Sequence, residues 1–358
     1  MTTLARLLAF YLPQFHPIPE NDAWWGKGFT EWTNTAKAVP LFRGHYQPHV
    51  PADLGFYDLR LAEAREAQAV MAKDYGIEGF CYYHYWFAGK LVLERPLREV
   101  IATGRPDFPF CVCWANQTWS GIWHGAPDRV LLEQTYPGDA DHRAHFEYLL
   151  PAFADRRYAK QNGMPVFIIY RPIAIPEVRR VTDLWRKMAV DAGLPGLHLV
   201  GIHEDPQWDP TQLGFDAVTC QRLPARRGWV SRRQPLRWAS QKLDEFRGRP
   251  TVYRYEDALP DLMPQPASGF ESYPMVTHAW DNSPRSGANA LVLHDSNPEL
   301  FRRVLRRALQ LRADVPPERN LVFLKSWNEW AEGNHLEPDL RFGHGYLDVI
   351  REECVRPV

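Results

Sequence analysis

The chain has 358 residues, a formal net charge of −1 and 45% hydrophobic residues, enough for a full core. That length suits a decorated (β/α)8 barrel. The balanced charge argues against nucleic acid or an anionic membrane surface as partner.

Arg6 to Tyr11 reads as a first buried strand, leaving into Leu12-Pro13-Gln14-Phe15-His16. The apolar start is too short for a signal peptide and reaches Pro13 without a small-residue cleavage site. A long excursion over residues 13–53 follows, with Trp24, Trp25, Glu31, Trp32, Asn34 and His45. It is too aromatic for disorder and reads as a wall or lid over the barrel mouth. Tyr57 to Tyr75 is expected as a helix stopped by Gly76. The next strand, Phe80 to Trp86, ends on His84, Tyr85 and Trp86. His84 is either a wall of the site or a packed, hydrogen-bonded core histidine. Pro96 to Thr103 reads as a short helix. Phe110 to Trp114 is a strand whose exit carries Asn116 and Gln117.

Asp141 to Asp155 reads as a helix and Pro165 to Tyr170 as a strand. Pro176 to Ala192 is a helix with proline in its first turn. Leu197 to Ile202 is a strand with His203 and Glu204 at its exit, and Phe215 to Cys220 a weaker one. Residues 224–266 read as an irregular insertion, basic at first through Arg226, Arg227, Arg232 and Arg233. Those arginines are a solvated face or a contact for acidic glycans. Tyr273 to Trp280 is a strand that includes His278 and Trp280 and leaves into Asp281 to Arg285. Glu299 to Arg312 is an amphipathic helix capped by Asn297 with Pro298 in its first turn. Tyr346 to Glu353 closes the chain as a helix.

The stretch LVFLKSWNEWAEGNHLEPD, Leu321 to Asp339, is the most informative. Its apolar start is a fully buried strand of a parallel sheet. It turns polar at once, with Asn328, Glu329, Glu332, Asn334, His335, Glu337 and Asp339 beside Trp327 and Trp330. Barrels keep their chemistry at such strand exits. Glu329 and Glu332 lie three residues apart and can face one cavity. Two crowded carboxyls beside indole rings should titrate apart, as acid/base work on a glycosidic bond requires. The bland alternative is a pair of solvated loop acids.

Eight strands alternating with helices argue for an α/β fold, a closed (β/α)8 TIM barrel with long strand-exit loops. A doubly wound open sheet would need a Gly-rich phosphate turn after its first strand, and Leu12-Pro13-Gln14-Phe15 is unlike one. Five scattered cysteines, without zinc-like spacing, point to reduced thiols and a cytoplasmic setting. No apolar run reaches the roughly 18 residues of a membrane span.

Four segments, YLPQFHPIPENDAWWGKGFTEWTN, HYQPHVPADLGFYDLR, GFCYYHYWFAGK and SWNEWAEGNHLEPD, together resemble the WbsX-type proteins of bacterial polysaccharide clusters, also described as glycoside hydrolase family 99-like. The resemblance implies a metal-free, cofactor-free barrel acting on carbohydrate with retention. It implies Glu329 as the base on a sugar 2-hydroxyl, which attacks its own anomeric carbon, and Glu332 as the general acid/base. It places Trp327, Asn328, His335 and Glu337 around the sugar, with Glu31, Trp32, His84, Tyr85, Trp114, Asn116, Gln117, His278, Trp280 and Asp281 as further candidate contacts. One departure stands out. The family's third-strand exit is similar to WANENW followed by WDG, whereas here Gln117 and His124 replace acids. That implies changed specificity if the acids bind substrate, and altered activity if one is catalytic. Three activities remain open. One is glycoside hydrolysis, one is glycosyl transfer in O-antigen, capsule or lipopolysaccharide assembly, and one is glycan binding without turnover. No obvious DxD nucleotide-sugar site is read from the sequence, which counts against a nucleotide-sugar donor.

Overall fold

The computed structural model describes residues 2–121, 126–224, 249–267 and 269–356. Its centre is a parallel sheet of strands β1 Arg6–Tyr11, β2 Gly79–Phe87, β3 Phe110–Trp114, β4 Met164–Ile169, β5 His198–His203, β6 Ala217–Cys220, β7 Glu271–Tyr273, β8 Met275–Thr277 and β9 Leu321–Lys325. The spatial order is β7-β6-β5-β4-β3-β2-β1-β9-β8. β7 and β8 flank Pro274 and are two halves of one barrel position. The first half pairs with β6, the second with β9. Pro274 has no N–H for the ladder, but its carbonyl still accepts from Phe323 N at 2.8 Å. The eight-position barrel expected from the sequence is what forms.

Strand alternation sorts the side chains into two sets. Phe10, Tyr83 and Phe323 meet inside the barrel, with ring centroids 5.4 and 5.7 Å from Phe10. Tyr82, His84, Trp114 and Phe167 point the other way, toward the helices. Helices Asp139–Phe153 and Val178–Asp191 supply His145 and Trp185 to that layer, where Trp114 packs on both. At the bottom of the barrel the Arg6 guanidinium pairs with Glu78 at 2.6 Å.

Several boundaries differ from expectation for tertiary reasons. The helix expected from Tyr57 runs Ala62–Asp74, because Leu59 N is drawn to Phe15 O at 3.1 Å and Arg65 donates back to the Leu59 carbonyl. The excursion over residues 13–53 contains two short helices, Pro19–Trp25 and Glu31–Ala36. It is fastened to the β9 exit by Ala52 N to Pro338 O and Leu340 N to Val50 O. Of the 224–266 stretch, Thr251–Arg254 pairs in parallel with Leu291–His294 outside the barrel, and Tyr255–Leu262 is helical. Arg226, Arg227, Arg232 and Arg233 lie outside the described residues. All five cysteines are free and buried. Among the described residues no helix is long and apolar enough to cross a membrane.

Candidate active site

The C-terminal ends of the strands open into a cleft of about 1190 Å³. Its floor is built from two exits. After β9 the chain makes a tight antiparallel turn, Asn328–Glu329 against Asn334–His335, with a 3-10 turn Trp330–Glu332 between. Ser326 locks it, its hydroxyl donating to Asn334 O at 2.6 Å and accepting from Glu329 N at 3.1 Å. After β8 comes a four-residue helix, Ser283–Ser286, which presents Arg285.

Arg285 is the hub of the site. It donates to Glu332 Oε1 at 2.6 Å, to Glu329 Oε2 at 2.9 Å and, through Nε, to Glu31 Oε1 at 2.8 Å. Lys325 stands on the other side, 3.4 Å from Glu329 Oε1 and 3.8 Å from Glu332 Oε2, and donates to Tyr83 Oη at 2.8 Å. Burial works to raise the Glu329 pKa, but Lys325 and Arg285 outweigh it and hold the carboxyl below its usual range. Glu31 goes the other way. Burial, joined by the charges of Glu329 and Glu332, pushes it up to about 7 against the pull of Arg285. A split in carboxyl behaviour was expected within the Glu329 and Glu332 pair. Glu31, from the far side of the cleft, is a raised carboxyl in the same cluster.

Glu31, Tyr85, Gln117, Trp280, Glu329 and Glu332 all line the cleft. The other candidates do not. His84, Trp114 and His278 sit on the helix-facing side of their strands. His84 Nε2 meets His145 Nε2 at 2.9 Å, and burial pushes its pKa down to about 3. It is the packed core histidine. Trp114 is fully buried and donates to the Trp86 carbonyl. His278 packs on Phe301 and Tyr346. Asn116 latches two exits together, accepting from Arg171 N at 2.8 Å and donating to Arg171 O at 2.9 Å. Asn328 does the same for Leu12, accepting from its N at 2.7 Å and donating to its O at 3.0 Å. Trp327 is core, against Phe80. Trp32 packs on Trp330 behind the floor.

Glu337 also lies behind the floor. It accepts from Trp330 Nε1 and Gln68 Nε2, both at 2.6 Å, and from Tyr57 Oη at 2.9 Å, while burial pushes it up to about 7. Asp281 accepts from His45 Nε2 at 2.6 Å and Gln47 Nε2 at 2.7 Å, tying the excursion to the segment that carries Arg285. These residues support the site without lining it.

Sequence reasoning left out Lys325, Arg285, Tyr83 and Tyr170, all of them cleft-lining. The signal was present in the period of two. Lys325 shares its face with Phe323, and Tyr83 shares its face with Tyr85. The tripeptide Asp139-Ala140-Asp141 has D-x-D spacing but not the setting of a nucleotide-sugar site. It opens a helix, with Asp139 paired to Arg180 at 2.6 Å and Asp141 accepting from Trp86 Nε1, and neither lines the cleft. Among the described residues, His49, His335 and Asp339 have the ligand character for a metal, with donor atoms within 4.8 Å. His335 is stacked on Trp330, and its Nε2 lies 2.8 Å from His49 Nδ1, a hydrogen bond that joins excursion and floor.

A closed parallel barrel whose strand exits carry carboxylates and aromatic rings at its mouth is a TIM-barrel architecture. A structure described as a glycoside hydrolase-like protein superposes with a TM-score of 0.59 at 17% identity, over 98% of this chain and 93% of that one. The GH99 endo-alpha-mannosidase from Bacteroides thetaiotaomicron superposes with a TM-score of 0.57 at 13% identity, over 97% and 95%. The chain belongs to the glycosyltransferase WbsX family, whose model matches residues 7–350. The WxcX protein of Xanthomonas campestris pv. campestris strain B100 is 41% identical over 359 residues, 99% of this chain and 50% of its own length. WxcX from a second strain of that pathovar matches to the same extent. The chain thus spans about half the length of these curated relatives.

Proposed function

We propose that this protein is a retaining glycoside hydrolase acting on a bacterial polysaccharide or oligosaccharide, with Glu329 and Glu332 as its catalytic pair. The observation that carries the reading is the convergence of both carboxylates on Arg285 and Lys325 at the floor of a cleft walled by Trp25, Trp119, Tyr83, Tyr85 and Trp280. Aromatic faces receive the C–H faces of sugar rings. Glu329, held ionised by its cations, takes the proton of the sugar 2-hydroxyl. The 2-oxygen then attacks the anomeric carbon, while the glycosidic C–O bond breaks and Glu332 gives its proton to the leaving oxygen. A 1,2-anhydro sugar results. Water, deprotonated by Glu332, opens it at the anomeric carbon, and the 2-oxygen recovers its proton from Glu329. Two inversions give net retention.

The WbsX family description favours a second reading, transfer to a sugar hydroxyl in place of water. A panel of bacterial O-polysaccharides separates the two. Hydrolysis releases reducing ends and shortens the chain. Transfer yields elongated product only when an acceptor is present. Glu329→Gln and Glu332→Gln each lose at least about 100-fold in turnover, on the scale of a general acid or base. Full turnover by Glu332→Gln refutes its assignment, and binding without any product supports a non-catalytic glycan-binding barrel.

A further inference from the structure

One cluster of ligand-type side chains lies outside the cleft. His49 comes from the excursion, and His335 and Asp339 come from the segment after β9. All three are buried, and none of them lines the cleft. One donor atom from each lies within 4.8 Å of the other two. Together with Tyr46 and His278 they border a second, smaller cavity of about 40 Å³.

Hydrogen bonds fix what each residue presents. His335 Nδ1 lies 2.9 Å from the Glu337 carbonyl, which can only accept, so the ring proton is on Nδ1 and Nε2 carries a bare lone pair. That nitrogen is 2.8 Å from His49 Nδ1 and 4.0 Å from Asp339 Oδ2. Asp339 is held by its other oxygen, Oδ1, which accepts from Arg341 N at 2.9 Å and Phe342 N at 2.6 Å. A carboxylate and an imidazole lone pair thus converge in a buried place, and such a pair calls for a positive charge between them. The Tyr46 hydroxyl also bonds Asp339 but brings no charge. His278, 1% exposed, lines the same cavity, and its Nε2 has no hydrogen-bond partner among the described residues.

We propose that His49, His335 and Asp339 bind one divalent transition cation of the zinc class, which clamps the excursion to the floor segment from behind. Two imidazole nitrogens and a carboxylate oxygen are a zinc ligand set, whereas magnesium and calcium take oxygen. The Glu337 carbonyl is the outer partner that orients a metal-bound imidazole. With bonds of roughly 2.0–2.1 Å, tetrahedral ligand atoms stand roughly 3.4 Å apart. The separations of 2.8 and 4.0 Å bracket that value. On binding, His49 carries its proton on Nε2 and gives Nδ1 to the ion. His278 lies outside the 4.8 Å group and meets a water in the fourth position, in the small cavity. His335 pairs with Asn328 across the turn, beside Glu329, so the ion steadies the floor without entering the reaction. The proposal does not rest on the hydrolase reading.

Zinc binding to the full chain, purified without a polyhistidine tag, tests it. Equilibrium dialysis against zinc chloride, read by plasma mass spectrometry, gives a stoichiometric ion in the wild type and in Glu329→Gln. His49→Phe keeps a ring on Tyr46, and Asp339→Asn keeps the Oδ1 that accepts from Arg341 and Phe342. Each binds zinc at least about 10-fold more weakly than the wild type. A smaller loss in either variant overturns the proposal, as does a wild type that holds no stoichiometric zinc. Should both variants fail to fold, anomalous diffraction at the zinc edge from zinc-soaked wild-type crystals decides the matter. A peak within bonding distance of His49, His335 and Asp339 supports the site. A peak only among Glu31, Glu329 and Glu332, or only at the protein surface, overturns it.

Discussion

Removing Arg285 is the sharpest physical perturbation of the site. In Arg285→Met the aliphatic volume is kept, but Glu31, Glu329 and Glu332 lose the cation they share. Breaking a buried pair from one side costs roughly 3–5 kcal/mol, because the remaining charge is left uncompensated. With about 2.1 cal/mol/K of unfolding entropy per residue, a 358-residue chain has ~0.75 kcal/mol/K in total, so the midpoint drops by about 4–7 °C at pH 8.

The sign of the pH dependence follows from the carboxyls. Without Arg285 their folded pKa values rise above the unfolded value near 4.5, so the folded variant binds protons that the unfolded chain does not. Its stability therefore recovers as pH falls from 8 toward 5, and the gap to the wild type narrows. Thermal melts and urea titrations of both proteins across that range measure it. A deficit below about 1 kcal/mol at pH 8, on the scale of an exposed pair, or one that stays constant with pH, refutes the argument that Arg285 neutralises buried charge.

Two further substitutions probe the supports. Asn328→Ala leaves the Leu12 N–H and C=O without their partners and destabilises the protein by roughly 2–4 kcal/mol, read as a lowered urea midpoint at unchanged slope. His84→Phe keeps the ring packed in the helix layer and gives up the contact with His145. It costs roughly 1–2 kcal/mol and leaves glycan affinity, measured by calorimetry, unchanged, whereas Tyr85→Ala weakens affinity from the cleft wall.

The barrel was legible because buried parallel strands are near-continuous apolar runs, and those at Phe110 to Trp114 and Leu321 to Leu324 cannot be much else. The rule that chemistry sits at strand exits found the cleft but not its lining. Every exit presents side chains to both faces, and only the period of two separates Tyr85, which faces the cleft, from His84, which faces a helix. Arg285 was harder to find. Nothing in Asp281 to Arg285 says that its guanidinium crosses the mouth to meet an acid 254 positions earlier in the chain. Burial decides that partnership, and burial is a property of the assembled loops. The helix start at Ala62 was hidden for the same reason, since Leu59 and Arg65 answer to partners rather than to propensity.

The Asn328 clamp on Leu12 joins residues 316 positions apart. On a ribosome moving at about 5–20 residues per second, the first strand and its exit wait roughly 16–63 s for that partner to be made. Throughout that interval the nascent sheet has an open border at Arg6–Tyr11, and the last strand to be synthesised both seals the border and delivers Glu329 and Glu332. Strand closure and the arrival of the acidic pair are thus one event in the life of the polypeptide, so a chain stalled before residue 321 has neither a sealed sheet nor the acids at its mouth.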